Sequence, residues 1–213
     1  MTQVILDIST SLDGYVAGPR PTLDDPLGEG GEGLHEWIVR LETWRKQHGL
    51  EGGVTGPDSE LVDEYVARQG AVVMGRKMFS GGSGPWEDDP NAGGWWGDEP
   101  PFRVPVFVVT HHEREPLVLK GTTMNFVTDG VEAAIAQARD AADGKDVAVA
   151  GGAEVAQQAL AAGLLDEIQL HVSPVLLGGG TLLFGDLDAP VALERTRVVD
   201  SPNAAHLRYR VVR

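Results

Sequence analysis

A short apolar run, a glycine pair and an amphipathic segment follow one another between Asp146 and Leu165. This order predicts a strand, a turn and a helix, because apolar residues recur at helical spacing after the glycines. Two interpretations of Gly151 and Gly152 are open. They let a phosphate approach the N–H groups of a helix N-terminus, or they only meet the backbone angles of a tight turn. The stretch is neither a G-x-G-x-x-G fingerprint nor a P-loop, so it does not by itself indicate a Rossmann or Walker site.

The composition limits the partners and the chemistry. The 213 residues have the size of one domain, and 32 acidic against 17 basic residues give a formal charge of −15. This charge argues against nucleic acid or an anionic membrane as the main partner. Because cysteine is absent, disulfides, thiolate metal sites and a cysteine nucleophile are excluded. We find no signal-peptide pattern and no apolar run of about 20 residues, so we expect a cytoplasmic protein.

Two other predicted strands end in turn-forming or polar residues. The strand over Val4 to Ile8 leads to Asp13-Gly14, at the carboxyl end where open α/β sheets bind ligands. Alternatively, Asp13 only closes an Asx turn. The strand over Val104 to Thr110 is followed by His111-His112. Adjacent side chains on a strand point in opposite directions, so we expect no shared metal there, and contact with a phosphate or adenosine is the better functional interpretation.

A cationic segment follows the strand predicted over Ala71 to Met74. It consists of Gly75, Arg76 and Lys77. Arginine presents a planar fork of donors that suits phosphate oxygens, so this is a second candidate phosphate site. The alternative is a short basic turn on the surface.

Two segments between these strands are predicted as helices. Leu34 to His48 shows apolar residues at helical spacing, and we expect its histidines on the surface. The second helix is predicted to start at the N-cap Asp58 and to end at Gly70. Its buried stripe is expected to comprise Leu61, Val62, Tyr65 and Val66.

The stretch from Ser80 to Pro101 is rich in glycine and contains Trp86, Trp95 and Trp96. A loop of this length in a compact domain is typically a lid or a binding loop. Its tryptophans could stack on a flat ring or anchor the loop on the protein or a partner subunit, and we favour anchoring.

The C-terminal part changes from β–α alternation to successive strands. We predict strands over 166–176, 191–199 and 204–212, joined by connections short enough for antiparallel pairing. The predicted fold is therefore α/β, a three-layer α-β-α arrangement around a mixed, mostly parallel sheet with antiparallel C-terminal strands. We expect a single domain over 1–213, with insertions at about 19–57 and 80–103.

Several short motifs, in this order and at this spacing, resemble the dihydrofolate reductase-like superfamily. The resemblance is closest to the reductase domain of riboflavin-biosynthesis deaminase–reductase proteins. The motifs are Ser11-Leu12-Asp13-Gly14, Val73-Met74-Gly75-Arg76-Lys77, Val108-Val109-Thr110, Val149-Ala150-Gly151-Gly152-Ala153-Glu154 and Pro174-Val175-Leu176-Leu177-Gly178-Gly179-Gly180.

The resemblance implies NADPH as cofactor and hydride transfer from its nicotinamide. It implies that Gly151 and Gly152 approach the pyrophosphate, with Ala153 and Glu154 at the helix N-terminus. The adenosine 2′-phosphate side would be held by Arg76, Lys77, Thr110 and His111, and Gly75 would also belong to the cofactor-binding residues. Leu12, Asp13 and Gly14 would line the nicotinamide and substrate end. A proton would come from water or from an acid, with Asp13 and Asp63 as the candidate catalytic residues.

Some residues depart from this pattern. Dihydrofolate reductases usually have Thr or Ser where this chain has Met78, and none of the helix acids Asp58, Asp63 and Glu64 matches their substrate carboxylate cleanly. The deaminase zinc motif is absent, so a bifunctional enzyme is excluded. The expected substrate is a small heterocycle, of pteridine or pyrimidinone ribityl-phosphate type, or a carbonyl compound.

Two alternatives to an NADPH-dependent reductase stay open. The chain could be a non-catalytic nucleotide-binding sensor or interaction protein, or it could use a flavin or deazaflavin. The family commonly forms dimers, so we expect a homodimer.

Overall fold

A computed structural model describes residues 2–185, 187 and 189–213. The strands are β1 (Val4–Ser11), β2 (Tyr15–Ala17), β3 (Gln69–Gly75), β4 (Val106–Val109), β5 (Leu117–Leu119), β6 (Thr122–Val127), β7 (Asp146–Gly151), β8 (Glu167–Ser173), β9 (Thr181–Leu182), β10 (Leu193–Asp200) and β11 (Ala205–Val211). The α-helices are α1 (Glu36–Val39), α2 (Glu42–Gln47), α3 (Pro57–Arg68), α4 (Arg76–Ser80), α5 (Gly130–Ala141) and α6 (Ala153–Ala161).

The chain forms two compact units. Unit 1 comprises residues 2–6 and Gln69–Asp166, and unit 2 comprises Asp7–Arg68 and Glu167–Arg213. Strand β1 therefore contributes its first residues to unit 1 and the rest to unit 2. The prediction of a single domain with two insertions is not tested by this division and stays a prediction.

Unit 1 is built on parallel strands in the order β1-β7-β3-β4-β6, with β5 antiparallel to β6 at the edge. Apolar β-branched residues form the centre of these strands because both faces of a parallel sheet are covered. Helices α5 and α6 bury their apolar stripes, including Ile135 and Val155. The buried strand residues include Val72, Val73, Met74, Val106, Val108, Val147 and Val149.

Unit 2 contains the antiparallel strands. β11 lies between β10 and β8 and is antiparallel to both, and β2 and β9 form a separate two-stranded ribbon. The prediction of a mixed, mostly parallel sheet with antiparallel C-terminal strands, flanked by helices, is confirmed. Among the residues that the structure describes, no helix is long and apolar enough to cross a membrane.

The single helix predicted over Leu34 to His48 is wrong. A 3₁₀ turn at Gly31–Leu34 is followed by the short helices α1 and α2. The break occurs at Leu41, whose backbone is extended (φ −73°, ψ 139°) and bridges to Val54. The buried side chains of Trp37 and Leu41 pack in one cluster, so tertiary burial outweighs helical continuity.

The predicted ends of the next helix are also wrong. Asp58 lies inside the first turn of α3 and is buried, so it is not the N-cap. Gly70 belongs to β3, and a Cβ atom there would lie 2.2 Å from the carbonyl oxygen of Ala142. Glycine is thus required for close packing rather than for ending the helix. Of the expected stripe, Leu61 and Val62 are buried, but Val66 is exposed.

Candidate functional site

The parallel strands of unit 1 end at one common edge. Met74 pairs with Gly151 and Gly75 pairs with Val109, so β3, β4 and β7 finish side by side. Ligands of open α/β sheets bind beyond such carboxyl ends. The structure therefore brings together at this edge the predicted cofactor residues Gly75, Thr110, Gly151 and Gly152.

The two glycines of the β7–α6 turn differ in backbone conformation and in the space around them. Gly151 has φ +128°, a conformation that favours glycine, and the peptide bond to Gly152 is cis. Gly152 has φ −75°, and a Cβ atom placed on it would meet no atom of the described residues within 4 Å. The fold thus does not need glycine at 152 for space, which favours the interpretation that a ligand approaches the backbone there.

Helix α6 starts directly after this turn. The N–H groups of Ala153 and Glu154 belong to its first turn, where backbone donors have no acceptor within the helix and attract anions. The side chain of Glu154 pairs with Lys77, with 3.3 Å between Oε1 and Nζ. Both side chains are mostly exposed, so an incoming anion can compete for Lys77.

The small size of Gly75 allows close packing at this edge of the sheet. A Cβ atom on it would lie 3.2 Å from Val155 Cγ2 and 3.6 Å from the nitrogen of Gly152. The end of β3 can therefore approach the start of α6 closely. Gly75 shapes the site through packing, whether or not it also contacts a cofactor.

Arg76 does not present the free guanidinium that the phosphate hypothesis requires. Its side chain is only 7% exposed, its Nη2 donates to Asp89 Oδ2 at 2.5 Å and its Nη1 donates to Ser80 Oγ at 2.8 Å. The Arg76 guanidinium also stacks on the ring of Trp86 at 3.3 Å. An internal carboxylate thus occupies its fork, and the assignment of Arg76 to a cofactor phosphate stays a prediction.

Trp86 anchors the glycine-rich loop on unit 1. The guanidinium groups of Arg76 and Arg114 lie 3.3 and 4.7 Å from the centre of its ring, and its indole N–H donates to the carbonyl of His112 at 2.9 Å. The ring also packs edge-to-face on Phe126 with 4.8 Å between centroids. For Trp86 the structure thus favours anchoring over ligand stacking.

Thr110 and His111 follow β4 but have different surroundings. Thr110 is buried, its N–H donates to the carbonyl of Val127, and its hydroxyl accepts the N–H of His112. These bonds shape the turn after the strand. His111 is exposed beyond it, so its side chain can reach a ligand at this edge.

Asp13, in unit 2, lies in the turn between β1 and β2. Its two carboxylate oxygens accept the backbone N–H groups of Leu177 (3.1 Å) and Gly178 (2.8 Å). Hydrogen bonds, led by that of Ser11, lower the pKa of Asp13. Asp13 is therefore an ionised clamp on the loop around Leu177, which does not suit the predicted role of proton donor.

The neighbours of Asp13 complete the same turn. Gly14 has φ +87°, donates its N–H to Ser11 and accepts the N–H of Leu183. Leu12 donates its backbone N–H to Val175 while its side chain is 69% exposed. An exposed leucine at such a turn is available to a flat apolar ligand.

Asp63 lies on the surface of unit 2. It is exposed on α3, and its carboxylate accepts a hydrogen bond from the Thr43 hydroxyl at 2.8 Å. This bond links α3 to α2 at the surface, and the prediction that Asp63 is a catalytic acid stays a prediction. The neighbouring Glu64 accepts hydrogen bonds from Arg197 and Arg208.

A model of the RibD C-terminal domain matches residues 2–207. The chain belongs to the RibD C-terminal domain family. The uncharacterized protein YyaP of Bacillus subtilis (strain 168) is 25% identical over 195 residues, which are 90% of this chain and 85% of YyaP.

Solved structures agree with this family assignment. A putative riboflavin biosynthesis protein from Shewanella sp. PV-4 is 22% identical, with a TM-score of 0.64 and full coverage of both chains. A deaminase/5-amino-6-(5-phosphoribosylamino)uracil reductase from Thermotoga maritima is 17% identical, with a TM-score of 0.58. That match covers 99% of this chain and 57% of the Thermotoga protein. These likenesses show the fold, and the family match over residues 2–207 confirms the predicted resemblance to the reductase domain of riboflavin-biosynthesis proteins.

Sequence reasoning missed a second polar cluster in unit 2 of this RibD-family chain. The buried acid–histidine chain consists of Asp7, His171, His206 and Asp58, linked in that order. Two signals in the sequence point to it. An aspartate interrupts the apolar run of β1, and each histidine lies in a strand among apolar residues.

Proposed function

We propose that this chain is an NADPH-dependent reductase that transfers hydride to a small heterocyclic or carbonyl substrate. The observation that carries the proposal is the open backbone at Gly152, next to the N-terminus of α6 and at the carboxyl edge of β3, β4 and β7. This arrangement fits a pyrophosphate, because it combines the N–H donors of a helix N-terminus with open space within 4 Å of a Cβ atom placed on Gly152, as far as the described residues go. Membership of the RibD C-terminal domain family supports the reductase class.

The residues of unit 1 would hold the nucleotide. Gly151, Gly152, Ala153 and Glu154 would contact the pyrophosphate through the backbone. Lys77 and His111, both exposed, would face the adenosine 2′-phosphate in place of Arg76. When bound, NADPH supplies a hydride, and the protein supplies position and electrostatics.

The residues around Asp13, in unit 2, would bind the substrate. The clamp of Asp13 on Leu177 and Gly178 holds the loop there, and Leu12 offers an apolar face. Since Asp13 is ionised and the Asp63 carboxylate is bonded to the Thr43 hydroxyl, we propose that water delivers the proton. The Thermotoga relative is named as a reductase of a phosphoribosylaminouracil, so a pyrimidinone ribityl-phosphate is the first substrate to test, followed by a pteridine.

Titration with NADPH, followed by tryptophan fluorescence and by NADPH oxidation, tests the proposal. Binding together with oxidation by dihydrofolate, a pyrimidinone ribityl-phosphate or a carbonyl compound supports it. Binding without oxidation would favour the non-catalytic nucleotide-binding alternative. If the protein bound a flavin or deazaflavin and did not bind NADPH, the flavin or deazaflavin would be its cofactor.

We also propose a homodimer with no nucleic-acid or membrane partner. Light scattering coupled to gel filtration measures the mass of the particle, and a monomer at all concentrations would rule the dimer out.

A further inference from the structure

Three short contacts join the side chains of the acid–histidine chain. Asp7 Oδ1 lies 3.1 Å from His171 Nε2, and His206 Nε2 lies 3.1 Å from Asp58 Oδ1. Between the two rings, His171 Nδ1 lies 2.6 Å from His206 Nδ1. His171 and His206 are only 2% and 1% exposed, so water does not replace these partners.

The number of protons in this cluster follows from its geometry. An ionised carboxylate only accepts hydrogen bonds, so each Nε2 must carry a proton toward its aspartate. If both imidazoles were neutral, both Nδ1 atoms would then be bare, and two lone pairs would face each other at 2.6 Å. One further proton converts this repulsion into a hydrogen bond. Three contacts thus require three protons, one more than two neutral histidines carry.

The ring orientations are determined by two contacts each. Turning either ring by 180° would place a carbon atom at 2.6 Å from the opposite Nδ1 and would also remove the bond to the aspartate. Both consequences are unfavourable in a buried site, where unpaired polar atoms are costly. The proton count therefore does not depend on an arbitrary choice of ring orientation.

We infer that the acid–histidine chain is a buried proton-binding site, which holds one excess proton as an imidazolium shared within the histidine pair. The excess proton resides on the imidazoles rather than on a carboxyl group because imidazole is the stronger base. In reference peptides the pKa of histidine exceeds that of aspartic acid by about 2.6. Among the described residues no group of three His, Asp or Glu is placed to hold a metal ion. By the proton count of the three contacts, the ligand of this site is the proton itself.

Of the two histidines, His171 has the surroundings that better stabilise the positive charge of the excess proton. Its ring packs on the Trp37 ring with 4.4 Å between centroids, and aromatic faces attract cations. Its partner Asp7 has a second oxygen, Oδ2, that is buried and has no hydrogen-bond partner in the described part of the chain. A positive charge on His171 compensates this carboxylate.

The surrounding groups resist a second proton. Burial, and then the charge on His171, lower the pKa of His206 against the opposing effect of Asp58. The same two causes lower the pKa of His35, which lies next to α1. On α3, burial and then the charge of Asp7 raise the pKa of Tyr65, with Arg68 opposing, so that Tyr65 stays neutral.

Nitrogen-15 NMR of the histidine rings tests the site without reference to catalysis. At pH 8, where free histidines are mostly neutral, we expect three of the four ring nitrogens of His171 and His206 to be protonated. Single His171→Gln and His206→Gln variants assign the signals. Two protonated nitrogens in the wild-type protein would overturn the inference.

The Asp58→Asn variant gives a second, independent readout. The side-chain amide that this substitution introduces can donate to His206 Nε2, after which both imidazoles satisfy the three contacts while neutral. We expect two protonated ring nitrogens at pH 8 in this variant and three in the Asp63→Asn control, which changes an exposed acid on the same helix. Equal proton counts in the two variants would contradict the inference. If Asp58→Asn does not fold, the wild-type count decides.

Discussion

Asp89 Oδ2 accepts hydrogen bonds from both Arg76 Nη2, at 2.5 Å, and Ser80 Oγ, at 2.7 Å. The side chains of Arg76 and Asp89 are 7% and 2% exposed, so this is a buried ion pair. It ties the glycine-rich loop to the start of α4. The carboxylate thereby takes the position on the arginine fork that sequence reasoning assigned to a cofactor phosphate.

Removing Asp89 should destabilise the protein strongly. Asp89→Ala leaves the buried Arg76 charge unpaired, which typically costs about 3–5 kcal/mol of unfolding free energy. Urea unfolding measures this loss. The control is Asp88→Ala, which removes an exposed neighbouring carboxylate and should change stability by less than about 0.5 kcal/mol. Equal effects of the two substitutions would show that the ion pair does not hold the loop.

Cofactor preference should depend on Lys77 and not on Arg76. Lys77→Ala is expected to weaken NADPH binding relative to NADH by up to about fivefold, because an exposed charge pair contributes up to roughly 1 kcal/mol. Arg76→Ala should leave the ratio of the two dissociation constants unchanged while lowering stability. Lys120→Ala, at another exposed lysine, is the control for loss of charge. If Arg76→Ala weakened the preference for NADPH over NADH and Lys77→Ala did not, the original assignment of Arg76 to the phosphate would be supported.

A side chain at residue 152 should block the nucleotide. Gly152→Ala points a methyl group into the open space above the turn, so we expect NADPH to bind at least tenfold more weakly, about 1.4 kcal/mol. The matched control is Gly93→Ala, where a Cβ atom also meets nothing within 4 Å. Calorimetric titration measures both affinities. If Gly152→Ala binds NADPH as the control does, the pyrophosphate lies elsewhere.

The pH dependence of turnover should not originate from Asp13. Its lowered pKa keeps the carboxylate charged at neutral pH, and both oxygens are engaged by backbone N–H groups. Asp13→Asn is therefore expected to change the Michaelis constant through the loop at Leu177 and to preserve the shape of the pH–kcat profile. Disappearance of a limb of that profile would identify Asp13 as the proton donor after all.

Stability should pass through a maximum near pH 6.5–7. Above it the folded protein holds a proton that unfolded histidines, with pKa about 6.5, have released, so stability falls by about 1.4 kcal/mol per pH unit. Below this pH, the lowered pKa values of His35 and His206 make stability rise with pH. The unfolded chain then binds more protons, and stability falls as the pH decreases.

Unfolding free energies measured between pH 5 and 9, by urea titration, test this curve. Asp58→Asn should lose the decline above pH 7, because its histidines are satisfied while neutral. Asp63→Asn should keep it. A decline of the same slope in both variants would assign the pH dependence to other groups.

The sequence by itself determined the parts of the fold that depend on local pattern. Short apolar runs ended by glycine predicted the strands that finish at Gly75 and Gly151, and period and spacing predicted α6. The antiparallel C-terminal strands followed from their short connections. The family motifs, being local as well, identified the candidate nucleotide edge at Gly152.

Only the tertiary structure decided which charged side chains are buried in an ion pair and which are accessible. Arg76 and Lys77 are neighbours in sequence, yet one is paired with Asp89 and the other is exposed. Likewise, Asp58 and Asp63 lie on one helix, and only Asp58 meets His206, which is 148 residues away. Such partners come together through packing of distant segments, and no periodicity in the sequence encodes them. The free energy of a charged group depends on its burial and its partner, so the chemical role of these residues is decided by the folded chain.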